Sequence, residues 1–150
     1  MSFNAWTGFP IYPSILDNNW RCAGYHIHCG YNEPNEETNI KFVKAMDLFV
    51  GIPSIIIEPA SKRKSLGYGQ AGNYRNQPWG AEARILSSYF ASSKELIEWT
   101  FNNTLKAIEF VNNNGVEEIE GMGNIIQSTI NLENKELAQT LIEEYNITMP

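Results

Sequence analysis

Two histidines on one predicted strand are the first residues that could do chemistry. His26 and His28 are the only histidines of the chain and stand two positions apart in RCAGYHIHCGY, residues 21–31. Residues i and i+2 of a strand project from the same face, with Cβ atoms roughly 6–7 Å apart. Two imidazoles so placed can share a metal ion or hold one phosphate, although both could equally be ordinary strand residues. The neighbouring Gly24 and Gly30 favour a site, because glycine lets a ligand or another backbone approach closely.

A carboxylate and a guanidinium form a second pair with the same spacing. Glu82 and Arg84 lie in AEARILSSYF, residues 81–90, which also has the alternation of a strand. Taken alone, the pair is well explained as a cross-strand salt bridge. It also suits a site that handles phosphate, where the carboxylate takes a hard cation and the arginine takes an oxyanion.

A basic, glycine-rich segment lies between the two strands. Residues 58–80 read EPASKRKSLGYGQAGNYRNQPWG and have no helical period, so they are predicted to form a long ordered loop. Three of the four arginines of the chain, Arg63, Arg75 and Arg84, fall in or beside it. The segment contains neither a Walker A loop nor a dinucleotide fingerprint. It is compatible with a site for a polyanion or carboxylate, and also with a solvated surface.

The surrounding pattern predicts an α+β fold. A helix with Phe42, Val43, Met46, Phe49 and Val50 on one face follows the first strand, and Gly51 and Pro53 are expected to break or kink it. Residues 54–57 fit either a helix or a strand. Later helices are expected from a capping box at Ser92, ending at Asn114-Gly115, and near 121–130 and 133–145. The face of the first of these helices is expected to carry Ile97, Phe101, Leu105 and Ile108.

Length and composition limit the class of protein. The 150 residues suffice for one domain, predicted as an irregular lead-in (1–20), a motif-bearing sheet and loop region (21–90) and a helical part (91–150). A net charge of -6 argues against a broad electrostatic surface that binds nucleic acid. The longest apolar run, 48–57, is too short to span a bilayer. Two cysteines and no secretory signal at the start favour a cytoplasmic protein.

In combination the motifs resemble a known enzyme family. AGYHIHCGY, then KRKSLGYGQAGNYR, then PWGAEARILSSYF is similar to the pattern of the phage and bacterial amidoligases. These belong to the carboxylate–amine ligase superfamily that includes glutamine synthetase and glutamate–cysteine ligase. The resemblance covers about residues 1–95. It implies that a phage-encoded member would lie in the cytoplasm of the host. It implies a curved antiparallel sheet of the glutamine-synthetase type, packed with helices.

The resemblance also implies an activity and roles. Such enzymes use ATP and a divalent metal, Mg²⁺ or Mn²⁺, to phosphorylate a carboxylate, which an amine then attacks to form an amide. By position, His26 and Glu82 would be metal ligands, and Arg75 and Arg84 would be catalytic. The residues implied in binding the nucleotide are His28, Arg63, Lys64, Tyr68, Gly69 and Arg75.

One element of the superfamily pattern is not found in this sequence. An acidic E-x-E strand, which supplies metal carboxylates, would precede the two histidines. The chain is therefore expected to be the C-terminal part of a catalytic domain and to need a companion polypeptide, or to form a homo-oligomer. The expected substrates are a small-molecule or peptide carboxylate and an amine, with neither nucleic acid nor membrane as a partner. A non-catalytic structural or binding subunit with this fold is the main alternative, and a metal-dependent hydrolase using His26, His28 and Glu82 is another.

Overall fold

The structure is a computed structural model that describes residues 1–12, 22–60 and 62–150. It confirms the α+β class. Residues 13–20 of the predicted irregular lead-in and Arg21, the first residue of the predicted first strand, lie outside the described residues. The strands are β1 (Ser2–Asn4), β2 (Pro10–Ile11), β3 (Gly24–Gly30), β4 (Asn73–Gln77) and β5 (Gly80–Ser87). The α-helices are α1 (Glu36–Met46), α2 (Ile52–Ile57), α3 (Lys94–Asn112), α4 (Val116–Ile119), α5 (Gly123–Asn131) and α6 (Lys135–Glu144).

The described strands form one antiparallel sheet in the order β2-β1-β4-β5-β3. β5 lies between β4 and β3, so side chains from three strands meet on each of its faces. Its small and aliphatic residues Ala81, Ala83 and Ile85 are buried in the core, together with Phe42 and Val43 of α1. The alternation of β5 therefore leaves Glu82 on the face away from these residues. The core positions and the polar face of this strand agree with the sequence-based prediction.

The first helical run continues where the sequence predicted an interruption. Between α1 and α2, residues Asp47–Gly51 form a π-helical turn, in which the Ile52 N–H donates to the carbonyl of Asp47. Pro53 has no N–H with which to bond the carbonyl of Phe49. The side-chain amide of Asn103 on α3 donates to that carbonyl instead, at 2.9 Å. An outside donor thus satisfies the group that proline leaves without a partner, and residues 52–57 stay helical.

The second long helix is present, but the apolar face that the sequence indicated is not its buried face. In α3, Ile97, Phe101 and Leu105 are 43%, 62% and 49% exposed. The buried side instead carries Leu96, Trp99, Thr100, Asn103, Thr104 and Ala107. Polar residues tolerate burial there because their hydrogen-bond donors find acceptors within the fold. The Thr100 and Thr104 hydroxyls, for example, donate to the carbonyls one helical turn earlier.

The predicted ends of the helices differ in detail from the observed ones. The N-cap of α3 is Ser93, whose hydroxyl accepts from the Leu96 N–H, and not Ser92. The predicted end of this helix at Asn114-Gly115 is confirmed, with Asn114 at a φ of 60°. The helix predicted near 133–145 is α6, which begins at Lys135 with Asn134 as its N-cap. In the described part of the chain, no helix combines the length and apolar character that crossing a membrane requires.

Candidate functional site

Glu82 is the centre of a polar cluster on the face of β5 away from the core. It lies directly opposite His28 on β3 and Arg75 on β4 in the register of the sheet. Its side chain is buried, with the residue only 4% exposed. Oε2 accepts a hydrogen bond from the Gln77 amide at 2.8 Å, while Oε1 accepts from Arg84 Nη1. Arg75 Nη1 lies 3.9 Å from the same Oε1. One carboxylate is thus surrounded by two guanidinium groups and an amide.

His26 completes the cluster because the pairing of β3 with β5 is irregular at this point. The register shifts between Tyr25 and Ile27, which leaves Arg84 and Ile85 opposite His26. The imidazole Nδ1 lies 3.2 Å from Glu82 Oε1 and 3.2 Å from Arg84 Nη1. The other ring nitrogen lies over Gly24, where a Cβ would be only 2.6 Å from it. Gly24 is therefore needed to make room for the His26 ring itself.

The charges around Glu82 determine the ionisation of the cluster. Burial raises the pKa of Glu82, but the hydrogen bonds from Gln77 and Arg84 and the charge of Arg84 together hold it below 4.5. Burial, and next the charge of Arg84, lower the pKa of His26 below 6.5 despite the nearby carboxylate. At neutral pH Glu82 is ionised and His26 is neutral. Because Arg84 can only donate, its contact assigns the lone pair of His26 to Nδ1.

The donor pair of Glu82 and His26 suits a divalent cation. Adjacent ligands of an octahedral ion such as Mg²⁺ stand about 3 Å apart. Glu82 Oε1 and His26 Nδ1, at 3.2 Å, have this separation and are both unprotonated at neutral pH. The cationic Nη1 of Arg84 now bridges the two atoms, so a metal held by this pair requires Arg84 to move aside. Among the described residues, no group of three or more His, Cys, Asp or Glu side chains is arranged to hold a metal.

His28 lies at the exposed end of the same face. Its ring stacks on the Trp79 indole, with centroids 5.1 Å apart and planes 28° apart. Trp79, in the turn between β4 and β5, is 40% exposed. The stacked pair therefore forms an aromatic surface beside Glu82, the residue opposite His28 in the sheet.

The basic segment divides into two groups. Arg75 belongs to the Glu82 cluster, whereas Arg63 and Lys64 are buried at 8% and 5% exposure. Arg63 donates to the Ile85 carbonyl at 2.8 Å, at the irregular point of β5, and its guanidinium lies 3.9 Å from Glu58. Burial lowers the pKa of Lys64 to about 8. These contacts give Arg63 a clear part in supporting the irregular strand that presents Arg84.

The glycines of this segment allow it to fold around Arg63. Gly69 has a φ of 66°, and a Cβ there would lie 2.4 Å from the Arg63 guanidinium carbon. The Tyr68 N–H donates to the Arg63 carbonyl at 3.0 Å, and Tyr68 is half-buried. The ordered loop is therefore present over residues 62–72. The nucleotide-binding roles implied for Arg63, Lys64, Tyr68 and Gly69 stay predictions.

Two residues of the site were missed by the sequence analysis. Gln77, which donates to Glu82, and Trp79, which stacks on His28, both lie in or beside β4. NYRNQ (73–77) forms β4 and is not part of the predicted loop, although it contains no β-branched residue that would indicate a strand. The i, i+2 spacing of Arg75 and Gln77 is the signal that could have placed both on the face of Glu82.

Comparison with known proteins identifies a family. The family model of the phage phiEco32-like COOH-NH2 ligase-type 2 proteins matches residues 17–114, well over half of the chain. The matched range contains β3, the basic segment and β5, and therefore every residue of the Glu82 cluster. No curated protein and no solved structure matches the chain. The chain belongs to the phage phiEco32-like COOH-NH2 ligase-type 2 family, whose name describes a carboxylate–amine ligase.

Proposed function

We propose that the protein is an ATP-dependent ligase that joins a carboxylate to an amine through an acyl phosphate. The observation that carries the proposal is the convergence of Glu82, His26, Arg75 and Arg84 on one face of the sheet. This set offers one donor pair for a cation and two guanidinium groups for oxyanions. Phosphoryl transfer depends mainly on such positioning and charge stabilisation. We also infer that the sheet is of the curved glutamine-synthetase type.

In the first step a carboxylate oxygen of the substrate attacks the γ-phosphorus of ATP, and the bond to the ADP oxygen breaks. Arg75 is 44% exposed in its side chain and can reach the phosphate oxygens from the open side of the cluster. Arg84, less exposed, would leave its present bridge and bind the substrate carboxylate or the transferred phosphoryl group. A divalent cation on Glu82 and His26 would neutralise charge on the phosphate oxygens.

In the second step the amine nitrogen attacks the acyl carbon. The C–N bond forms, the C–O bond to phosphate breaks, and the amine gives up a proton. The same two arginines can stabilise the phosphate as it leaves, because both guanidinium groups lie near the same carboxylate oxygen, Glu82 Oε1. The stacked surface of His28 and Trp79 borders the cluster and is open to a planar group of either substrate.

The charge of the cluster supports a companion polypeptide. Two guanidinium groups face a single carboxylate, so a divalent cation would add positive charge to an already cationic site. Further carboxylates beside Glu82 would offset this charge, and hard cations favour oxygen ligands. We propose that a companion chain supplies them. The chain alone is then expected to bind Mg-ATP with little release of ADP.

A second candidate has a specific observation in its favour. Arg84 already bridges Glu82 and His26, which is the arrangement of a structural ion cluster. The protein would then be a binding subunit that keeps the fold without turnover. The two candidates differ in whether Arg84 is needed for chemistry or for folding.

Trapping with hydroxylamine tests the ligase. Hydroxylamine attacks an acyl phosphate and yields a hydroxamate, which ferric iron reveals as a coloured complex. The assay combines Mg-ATP, a mixture of carboxylic acids and the chain together with proteins that co-purify from its native source. We expect hydroxamate and equimolar ADP from the wild type, and neither from Arg84→Gln prepared in the same way. Lys106→Gln, on α3, is the matched control and should behave as wild type.

Three results would count against parts of this proposal. Equal hydroxamate yields from wild type and Arg84→Gln would mean that the Glu82 cluster is not the reacting site. Loss of folding in Arg84→Gln, with no hydroxamate from the wild type, would favour the structural cluster. ADP formation by the isolated chain that His26→Ala abolishes would show that no companion is needed.

A further inference from the structure

A groove of about 450 Å³ runs along the outer edge of β3. Six consecutive residues of this strand, 25–30, line it. Successive side chains of a strand point to opposite faces of the sheet, so a groove on one face would meet only alternate residues. Contact with all six places the groove along the edge of the strand. β3 is also the last strand in the sheet formed by the described residues.

The opposite wall of the groove is one stripe of α3. It consists of Ile97, Thr100, Phe101, Thr104, Leu105 and Ile108. These positions recur at three and four residues, as one face of a helix does. Three of the large apolar side chains are more than two fifths exposed. The apolar face that the sequence predicted for α3 is therefore the wall of an open groove.

The groove carries almost no charge. Among the residues that the structure describes, its lining contains no Asp, Glu, Lys or Arg, although the whole chain has a net charge of -6. The ionisable residues in it are Tyr25, Cys29 and the two histidines. Edge strands are commonly protected from pairing by lysine or proline, and YHIHCG (25–30) has neither. Two acidic copies of the chain could therefore approach along this edge without repulsion between groups in the groove.

We propose that a second copy of this chain occupies the groove. Antiparallel pairing of β3 with β3 of the other copy satisfies a two-fold axis, and it joins the two sheets into one. The seven residues of β3 span roughly 23 Å at about 3.3 Å per residue. The stripe from Ile97 to Ile108 spans roughly 17 Å at about 1.5 Å per residue. Each copy thus presents a strand and an apolar stripe of similar length, and the same pairing covers both.

Such a dimer would place the Glu82 clusters of the two copies on the same face of the joined sheet. His26 and His28 belong to the strand that pairs, so the other copy would lie beside both histidines. Assembly and the Glu82 cluster are nevertheless separate properties. The dimer can exist whether or not the ligase proposal is correct, and its test requires neither ATP nor a substrate.

Light scattering after size-exclusion chromatography tests the proposal over a wide range of loading concentrations. The wild type should have twice the chain mass of 17.0 kDa. Phe101→Glu should raise the dissociation constant of the dimer at least about tenfold, because two carboxylates would enter an apolar contact. Asn102→Glu, which adds the same charge to the next exposed residue but outside the groove, should remain dimeric. Leu105→Lys is a second variant in the stripe, and circular dichroism confirms that each variant is folded.

Hydrogen exchange then locates the contact. Residues 25–30 should exchange faster in folded Phe101→Glu than in wild type, while residues 80–87, which lie within the sheet, should be unchanged. A monomeric wild type at every concentration would overturn the proposal and leave the groove for a different partner. A wild-type dimer that both stripe variants leave intact would also overturn it, because the contact would then be elsewhere.

Discussion

Asp47 offers a prediction whose size follows from the structure. The residue is fully buried in the π-helical turn, where Oδ2 accepts hydrogen bonds from the Trp6 indole at 2.6 Å and the Gly72 N–H at 2.7 Å. These two hydrogen bonds connect the N-terminal segment, through Trp6, and the end of the basic loop, through Gly72, to the helices. Oδ1 has no hydrogen-bond partner among the described residues. Burial raises the pKa of Asp47 from 3.8 to about 7, although the two donors and Lys64 oppose this effect.

The sign of the pH effect follows from this raised pKa. The folded state holds the proton more tightly than the unfolded state does. The stability that protonated Asp47 contributes is therefore fully present below about pH 4 and is lost as the pH rises to about 7. The interval from 3.8 to about 7 corresponds to about 4 kcal/mol, at about 1.36 kcal/mol per pH unit.

The variant Asp47→Asn removes this titration and keeps the shape of the side chain. The amide places an unpaired NH₂ where Oδ1 was, which costs stability by an amount that does not depend on pH. Urea unfolding followed by tryptophan fluorescence gives the free energy of unfolding at each pH. We expect the free energy of unfolding of the variant, minus that of wild type, to rise by about 4 kcal/mol between pH 4 and pH 7.5. Glu109→Gln, an exposed change on α3, should show no such trend.

The titration can also be observed directly. The chain has two aspartates, Asp17 and Asp47, so ¹³C labelling of aspartate carboxyls gives two signals, which Asp17→Asn assigns. The Asp47 signal should titrate near pH 7. The reasoning would be refuted if this signal titrated near pH 4 and the difference between variant and wild type were constant with pH.

Two further predictions concern the packing of the helices and the arginines of the site. Asn103→Ala should lower the free energy of unfolding by about 2 kcal/mol, because it removes the donor to the buried Phe49 carbonyl, whereas exposed Asn102→Ala should change it by less than about 0.5 kcal/mol. Equal losses in urea titrations would mean that the proline-containing turn does not depend on this amide. Arg75→Ala should weaken Mg-ATP binding about tenfold in calorimetric titrations, and Lys106→Ala should leave it unchanged. Similar affinities for both variants would place the nucleotide away from β4.

The strands β3 and β5 could be predicted from the sequence because their residue patterns are local. The i, i+2 spacing of His26 with His28 and of Glu82 with Arg84 placed each pair on one face, and the register of β3 with β5 brings the pairs together. The irregular pairing that brings His26 to Arg84 depends on contacts between distant parts of the chain. Its support by Arg63 is also non-local, which is why the basic segment was predicted as a single binding loop.

The buried face of α3 shows a different limit. Helical spacing placed Ile97, Phe101 and Leu105 on one apolar face, yet the core side of the helix uses Thr100 and Asn103. Their burial is possible because the Thr100 hydroxyl and the Asn103 amide NH₂ group donate to backbone carbonyls, in one case that of Phe49 in the proline-containing run. Periodicity in one helix contains no information on such partners.

The most direct test of the proposed site uses Mn-ATP and the two histidine side chains. His26 and His28 are the only histidines, so their ring resonances are easily assigned by the variants His26→Ala and His28→Ala. Bound Mn²⁺ broadens the signals of nuclei close to it. We predict that Mn-ATP broadens both rings in the wild type, His26 more strongly, and that Glu82→Gln greatly reduces the effect. If both rings stay sharp while calorimetry shows that Mn-ATP is bound, the nucleotide lies elsewhere and the account of the Glu82 cluster is wrong.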